Sequence, residues 1–182
     1  PNGACGTCGG LGQQEFFDPA RVVVNPSLSL AGGAIRGWDR RNAYYFQLIH
    51  SLAKHYQFDV DSAWQELPGP VQQAVLYGSG EQQINFIYLT EAGGRTVRKH
   101  AFEGIIPNLE RRYKETESQA VKEELSKFVS MRECPVCHGA RLNRSARHVL
   151  VGGNNLTDIS RMPIDDCLRF FAELKVAAWR GE

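Results

Sequence analysis

The 182-residue chain is 42% hydrophobic and 23% charged, an ordinary globular composition that excludes a disordered or fibrous protein. Twenty-one Lys and Arg against 20 Asp and Glu leave a net charge of +1, which excludes a global basic field, so any nucleic-acid surface has to be local. No apolar run approaches the ~18 residues of a membrane-spanning helix and no signal peptide precedes the first motif, so a soluble, cytoplasmic chain without a membrane partner is expected.

The chain opens on Cys5-Gly-Thr-Cys8, followed by Gly9, Gly10 and Gly12. A Cys-x-x-Cys pair lets two thiolates reach one ion, and glycines just beyond it allow the turn that aims backbone amides at the sulfurs. The start at Pro1, without Met, is expected of a piece of a longer protein. After Phe16-Phe17-Asp18-Pro19, a stretch rich in Pro, Ser and Gly predicts an irregular but packed connection to Gly37. Asn42 is placed to cap a helix whose apolar stripe is Tyr45, Leu48, Ile49, Leu52 and Tyr56. Pro68-Gly69-Pro70 breaks the chain before a short segment from Val71 to Tyr77.

Gln83 to Thr90 and Arg95 to Phe102 flank Glu91-Ala92-Gly93-Gly94, the pattern of a β-hairpin with Ile84, Phe86 and Tyr88 on one face. Pro107 and Asn108 open a long helical stretch with Leu109, Tyr113, Ala120, Val121, Leu125 and Phe128 on one side. Thr116 and Gln119 resemble a capping box, which would divide it into two helices. Cys134-Pro-Val-Cys137 follows, then a strand over His148 to Val151, a Gly-Gly-Asn-Asn turn and a final helix around Ile164 to Leu174. The fold class expected is α+β: a helix-rich insertion domain with a β-hairpin, rooted in a four-cysteine zinc module and followed by a short strand and helix segment.

Two Cys-x-x-Cys copies, each followed by glycine, favour a tetrahedral structural zinc held by Cys5, Cys8, Cys134 and Cys137 over a redox pair, since neither copy sits where a strand meets a helix. Two separate sites, each completed by cysteines outside the chain, remain an alternative. One shared site would also hold together the two ends of an inserted domain. His138 reads as a polar neighbour rather than a ligand, and Cys167, on the final helix, as a buried core thiol.

No phosphate-binding Gly-x-x-x-x-Gly-Lys-Ser/Thr loop is present, and Leu28-Ser29-Leu30-Ala31-Gly32-Gly33 reads as a turn. No nucleophile-base arrangement stands out, so the segment is not expected to be an enzyme. Three basic groups remain: Arg36, Arg40 and Arg41 around Trp38; Arg95, Arg98, Lys99 and His100 on the second hairpin strand; and Arg141, Arg144, Arg147 and His148 after the second knuckle. The last lies in a run from Cys134 to Thr157 without Asp or Glu, a rigid basic surface suited to phosphates.

Several ordered blocks resemble the UvrA family, the damage-sensing ATPase subunit of the bacterial UvrABC excinuclease. They are Gly3-Ala4-Cys5 to Gly12, Leu28-Ser29-Leu30 with Gly33-Ala34-Ile35, Tyr77-Gly78-Ser79-Gly80, Phe102-Glu103-Gly104 to Tyr113, and Cys134-Pro135 to Leu142. Gly6 departs from the family, where a proline commonly follows the first knuckle cysteine as Pro135 does in the second. The resemblance implies a first knuckle over 1–12, an insertion domain over 13–131, a second knuckle over 132–145, and over 146–182 the start of the following signature region. It further implies double-stranded, damaged DNA as partner of a parent UvrA dimer, structural zinc as cofactor, and ATP and UvrB bound only by other regions of the parent. The expected function is a DNA-contacting, zinc-stabilised module of nucleotide excision repair, with Arg95, Arg98, Lys99, His100, Arg141, Arg144 and Arg147 at the DNA. The alternative is a protein-docking or conformational-gating domain.

Overall fold

The computed structural model describes residues 2–89 and 94–175. They divide into two units: residues 17–130 form one, and residues up to 16 together with those from 131 onward form the other.

In the first of these, residues 17–130, α1 (Pro19–Val22) is a single turn whose start Asp18 caps by accepting from the Ala20 amide at 2.9 Å. The connection to Gly37 is irregular but packed, with Leu30, Ala31, Ala34 and Ile35 buried. Ser29 organises it: its hydroxyl accepts from the Gly32 amide and its carbonyl from Ala34, both at 2.9 Å. Leu28–Gly33 is therefore a turn, as its composition predicts. Asn42 then caps α2 (Ala43–Tyr56), accepting from the Tyr45 amide, and Gln57 ends the helix in the left-handed conformation. Leu48, Ile49, Leu52 and Ala53 form the buried stripe.

A short turn of 3-10 helix at Trp64–Glu66 precedes α3 (Gly69–Tyr77). Strands β2 (Gln83–Leu89) and β3 (Arg95–Ala101) make an antiparallel hairpin in which Ile84 faces His100, Phe86 faces Arg98 and Tyr88 faces Thr96. Directly opposite residues share a face, so Ile84, Phe86, Tyr88, Arg98 and His100 stand together, with Ile84 and Phe86 fully buried. The turn at 90–93 lies outside the described residues. Helix α2 runs along β2, where the Ser51 hydroxyl accepts from the Ile87 amide at 3.3 Å and covers part of an otherwise open strand edge.

The helical stretch that follows is two helices, α4 (Ile105–Glu115) and α5 (Gln119–Ser126). Their starts differ from the sequence expectation. Helix α4 begins two residues before Pro107, because Gly104 turns the chain at φ 94° directly against Tyr77 and Gly78; Pro107 falls in the first turn, where its missing N–H costs nothing. The cap of α5 is Ser118, whose hydroxyl accepts from the Val121 amide, while Thr116 accepts from Ser118 itself.

Strands β1 (Gln13–Phe17) and β4 (Val129–Glu133), which lie mostly in the other unit, pair with each other. Beyond the second knuckle, the strand expected over His148–Val151 is shorter. Ala146–His148 is a 3-10 turn, and only β5 (Leu150–Val151) pairs, with β6 (Asn154–Asn155), around Gly152-Gly153. Asn155 doubles as the cap of α6 (Leu156–Ser160), and α7 (Ile164–Glu173) follows. Cys167 is half-buried on α7 rather than a core thiol, because Ile164, Leu168 and Phe171 on the same helix are themselves exposed. No helix among the described residues is long and apolar enough to cross a membrane.

A β-carbon on Gly104 would lie 2.5 Å from the Gly78 nitrogen and the Tyr77 carbonyl carbon, all of it backbone. Gly104→Ala is therefore expected to lower the unfolding free energy by about 3 kcal/mol or more in a urea titration, through backbone strain plus displacement of the chain at Tyr77. Gly80→Ala, left-handed but with nothing within 4 Å, should cost only about 1 kcal/mol.

Candidate metal centre and basic surface

Each cysteine pair is wound tightly by its own backbone. The Leu11 amide donates to the Cys8 carbonyl at 3.0 Å and the Ala140 amide to the Cys137 carbonyl at 3.0 Å, each three residues on from the second cysteine. Positive φ angles recur at matching positions: Gly9 (60°) with His138 (49°), Gly10 (86°) with Gly139 (73°), Gly12 (79°) with Arg141 (64°). The two knuckles thus share one backbone shape. They are also laced together reciprocally, since the Cys5 amide donates to the Arg141 carbonyl at 2.8 Å and the Cys134 amide to the Gly12 carbonyl at 2.9 Å. In both cases the acceptor lies seven residues beyond the first cysteine of the opposite pair. A bridge between Ala4 and Leu142 and a bond from the Asn143 amide to the Gly3 carbonyl at 2.9 Å extend the seam.

The consequence is that the sulfurs of Cys5, Cys8, Cys134 and Cys137 converge, all within 4.8 Å of one another and all buried. A tetrahedral ion with metal–sulfur bonds of about 2.3 Å requires sulfur–sulfur edges of about 3.8 Å, and Cys8 and Cys137 stand 3.7 Å apart. The donor set and its spacing fit one thiolate-bound ion shared by both knuckles, so two half-sites completed elsewhere are not needed. Polar support is also present: the Gly12 amide points at the Cys8 sulfur from 3.2 Å. Outside the cluster, His138 lies 3.6 Å from Glu133, and Arg161 and Arg147 donate to the carbonyls of His138 and Val136.

The thiols of Cys5, Cys8 and Cys137 are not electrostatically alike. Burial pushes the Cys8 thiol up, but the amides of Gly12 and Gly10 and the neighbouring sulfurs outweigh it and leave the group at about 6. The Cys5 thiol is lowered chiefly by the Cys8 backbone amide. Burial dominates at Cys137 and raises it to about 11. At neutral pH Cys8 is thus poised as thiolate while Cys137 must shed a proton to bind a cation.

The basic residues are distributed in ways their spacing conceals. Arg40 is paired with Asp61 at 2.7 Å and Arg41 with buried Asp39 at 2.7 Å, and this guanidinium holds the Asp39 carboxyl down at about 2. On β3, alternation separates Arg95 and Lys99 on one face from Arg98 and His100 on the other. Arg98 lies over the Tyr88 ring at 5.8 Å. His100 is half-buried and stacked on Phe86, with one ring nitrogen at the Ala101 carbonyl and the other 2.8 Å from the Tyr88 hydroxyl. After the second knuckle Arg141 and Arg144 are exposed, whereas Arg147 is half-buried with its Nε lacking a partner.

Against protein-family models, residues 18–127 match the UvrA DNA-binding domain. The chain belongs to the UvrA DNA-binding domain family. It is 64% identical over its whole length to UvrABC system protein A of Xylella fastidiosa (strain 9a5c), 63% to that of Xanthomonas campestris pv. campestris and 57% to that of Escherichia coli (strain K12). In each case it spans only 18–19% of the relative's length. Among solved structures it is similar to the crystal structure of UvrA2 from Deinococcus radiodurans, with a TM-score of 0.66 and 26% identity, covering 98% of this chain and 23% of that one.

Two outcomes follow from the centre's geometry. Elemental analysis of the purified UvrA-family chain should find about one ion per chain, and Cys134→Ser should lower it, with zinc affinity in a chelator competition rising as pH increases from 6 to 8 because Cys137 must deprotonate. Because Arg141 adopts a φ of 64° where its counterpart in the first knuckle is glycine, Arg141→Gly should leave stability unchanged or raise it by up to about 1 kcal/mol in urea.

Proposed function

We propose that this chain is a zinc-stabilised, DNA-contacting module of a UvrA subunit in nucleotide excision repair, helping a longer parent ATPase engage damaged duplex DNA. The observation that carries the reading is a coincidence of boundaries: the stretch matching the UvrA DNA-binding domain, 18–127, falls within the 17–130 unit that bears the basic hairpin. On this reading residues 13–131 are an insertion rooted between the knuckles at 1–12 and 132–145, and residues 146–182 begin the next region of the parent. Zinc would be held by Cys5, Cys8, Cys134 and Cys137 and would lock the backbone from which Arg141 and Arg144 project.

Arg95, Arg98 and Lys99 supply exposed charge on the hairpin, and His100 acts through Tyr88 by holding the hairpin face together. Arg147 supports the knuckle as well as the basic surface. Phosphate contacts carry no base code, so recognition would be of duplex shape and deformability. ATP hydrolysis, dimerisation and binding of UvrB are assigned to other parts of the parent. A protein-docking role has one observation in its favour, the exposed apolar stripe of Ile164, Leu168 and Phe171 on α7, which suits a protein surface better than a phosphate backbone.

Salt dependence separates the readings. Binding to duplex DNA should weaken with salt, and Arg98→Ala/Lys99→Ala should make the slope of log affinity against log salt shallower by about 1.8. Affinity and slope unchanged by the double substitution would remove the hairpin from the DNA surface.

A further inference from the structure

Between α2 and the hairpin runs a groove of about 830 Å³, lined by Gln47, His50 and Lys54 from the helix and by Asn85, Ile87 and Val97 from the strands. Gln47 and Ile87 also line an adjoining hollow of about 200 Å³, whose other walls include Tyr44 and Tyr88. The helix side is a single stripe: positions 43, 47, 50 and 54 recur at intervals of three and four, opposite the buried stripe of Leu48, Ile49 and Leu52. From position 43 to position 54, eleven helical rises, the stripe is about 16 Å long. None of the described residues lining either hollow is acidic.

Charge and aromatic surface are arranged along this path. Lys54 and His50 are exposed and make no ion pair among the described residues, whereas Arg40, Arg41, Arg111, Lys127 and Arg169 are engaged with carboxylates. Lys99 stands directly opposite Asn85 and so flanks the groove on its hairpin side. At the other end Tyr44 is 59% exposed. It is buttressed edge-on by Tyr45 at 5.3 Å and lies 6.2 Å from Tyr88, which carries Arg98 over its face. A cationic track that ends in a free, supported aromatic ring is the arrangement that binds a strand with its bases unstacked. A fully paired duplex keeps its bases stacked internally and has no use for that ring.

We propose that this groove holds an unpaired stretch of a DNA strand, its backbone along Gln47, His50, Lys54 and Lys99 and one base stacked on Tyr44. This rests on the DNA-binding reading above and adds to it a site that takes strand-separated DNA rather than duplex phosphates alone.

The test uses the zinc-loaded 182-residue chain and three fluorescent probes of equal length: a single strand of thymidines, a paired duplex, and a duplex with a central unpaired bubble. The single strand and the bubble should bind more tightly than the paired duplex. Tyr44→Ala should weaken both about tenfold while changing duplex binding less than about twofold, and Tyr44→Phe should restore wild-type affinity. Lys54→Ala should make the single-strand salt slope shallower by about 0.7. A 2-aminopurine placed in the bubble should be quenched by wild type and Tyr44→Phe but not by Tyr44→Ala. Equal losses on all three probes would mark Tyr44 as merely structural, and no loss on any would empty the groove; either result overturns the proposal. Duplex binding that depends on Arg98 and Lys99 but not on Tyr44 defeats the groove alone, whereas failure of all three probes to bind defeats the wider DNA reading with it.

Discussion

Four sulfurs brought to one point from sequence positions more than a hundred residues apart are the constraint on which the rest of this chain depends. Cys8 and Cys137 are 129 residues apart and 3.7 Å from each other. Closing a loop of that size in an unfolded chain costs on the order of 5 kcal/mol of conformational entropy. The intervening unit has to arrive with its ends together before the reciprocal bonds between the knuckles, Cys5 to Arg141 and Cys134 to Gly12, have formed. An ion bound by the four cysteines would offset that cost, because metal-binding free energy at a site absent from the unfolded chain is folding free energy.

The two knuckles solve one geometric problem with different residues. Each needs three left-handed backbone positions to turn around its cysteines. The first uses glycine at all three, where the conformation carries no side-chain penalty. The second retains glycine only at Gly139 and places His138 and Arg141 at the other two, at a cost of about 1–2 kcal/mol each. That strain is tolerated where backbone bonds over-determine the turn, and the Arg141 carbonyl is itself held by the Cys5 amide. Its effect is to hold the backbone from which Arg141 projects, which lowers the ordering cost of any contact with an anion.

Charge on the 17–130 unit is sorted rather than spread. Arg40 and Arg41 are engaged with carboxylates, so two of the three arginines around Trp38 are neutralised locally, and Arg111 is likewise paired with Glu103. Lys54, Lys99, Arg95 and Arg98 make no ion pair among the described residues and border the hairpin and the groove beside α2. A net charge of +1 therefore coexists with a local cationic track.

Much of this was legible in the amino-acid sequence because its causes are local. Ligand chemistry needs two cysteines three apart with glycine beyond, the cap of α2 needs an Asn one residue before it, and alternation in Gln83–Leu89 needs only neighbours to be read. Family blocks made the lineage plain for the same reason. What depends on distant partners was not legible. The start of α4 follows from Gly104 meeting Gly78, and the exposure of Cys167 from apolar neighbours on α7 that are themselves uncovered. Strand register divides Arg95 and Lys99 from Arg98 and His100, and ties His100 to Tyr88. Sequence by itself determined which residues are able to bind a metal, cap a helix or carry charge, since those are properties of side chains and short spacings. Only the tertiary structure decided that the four sulfurs converge and that Lys54 and Tyr44 line adjoining hollows, because packing alone brings remote segments together.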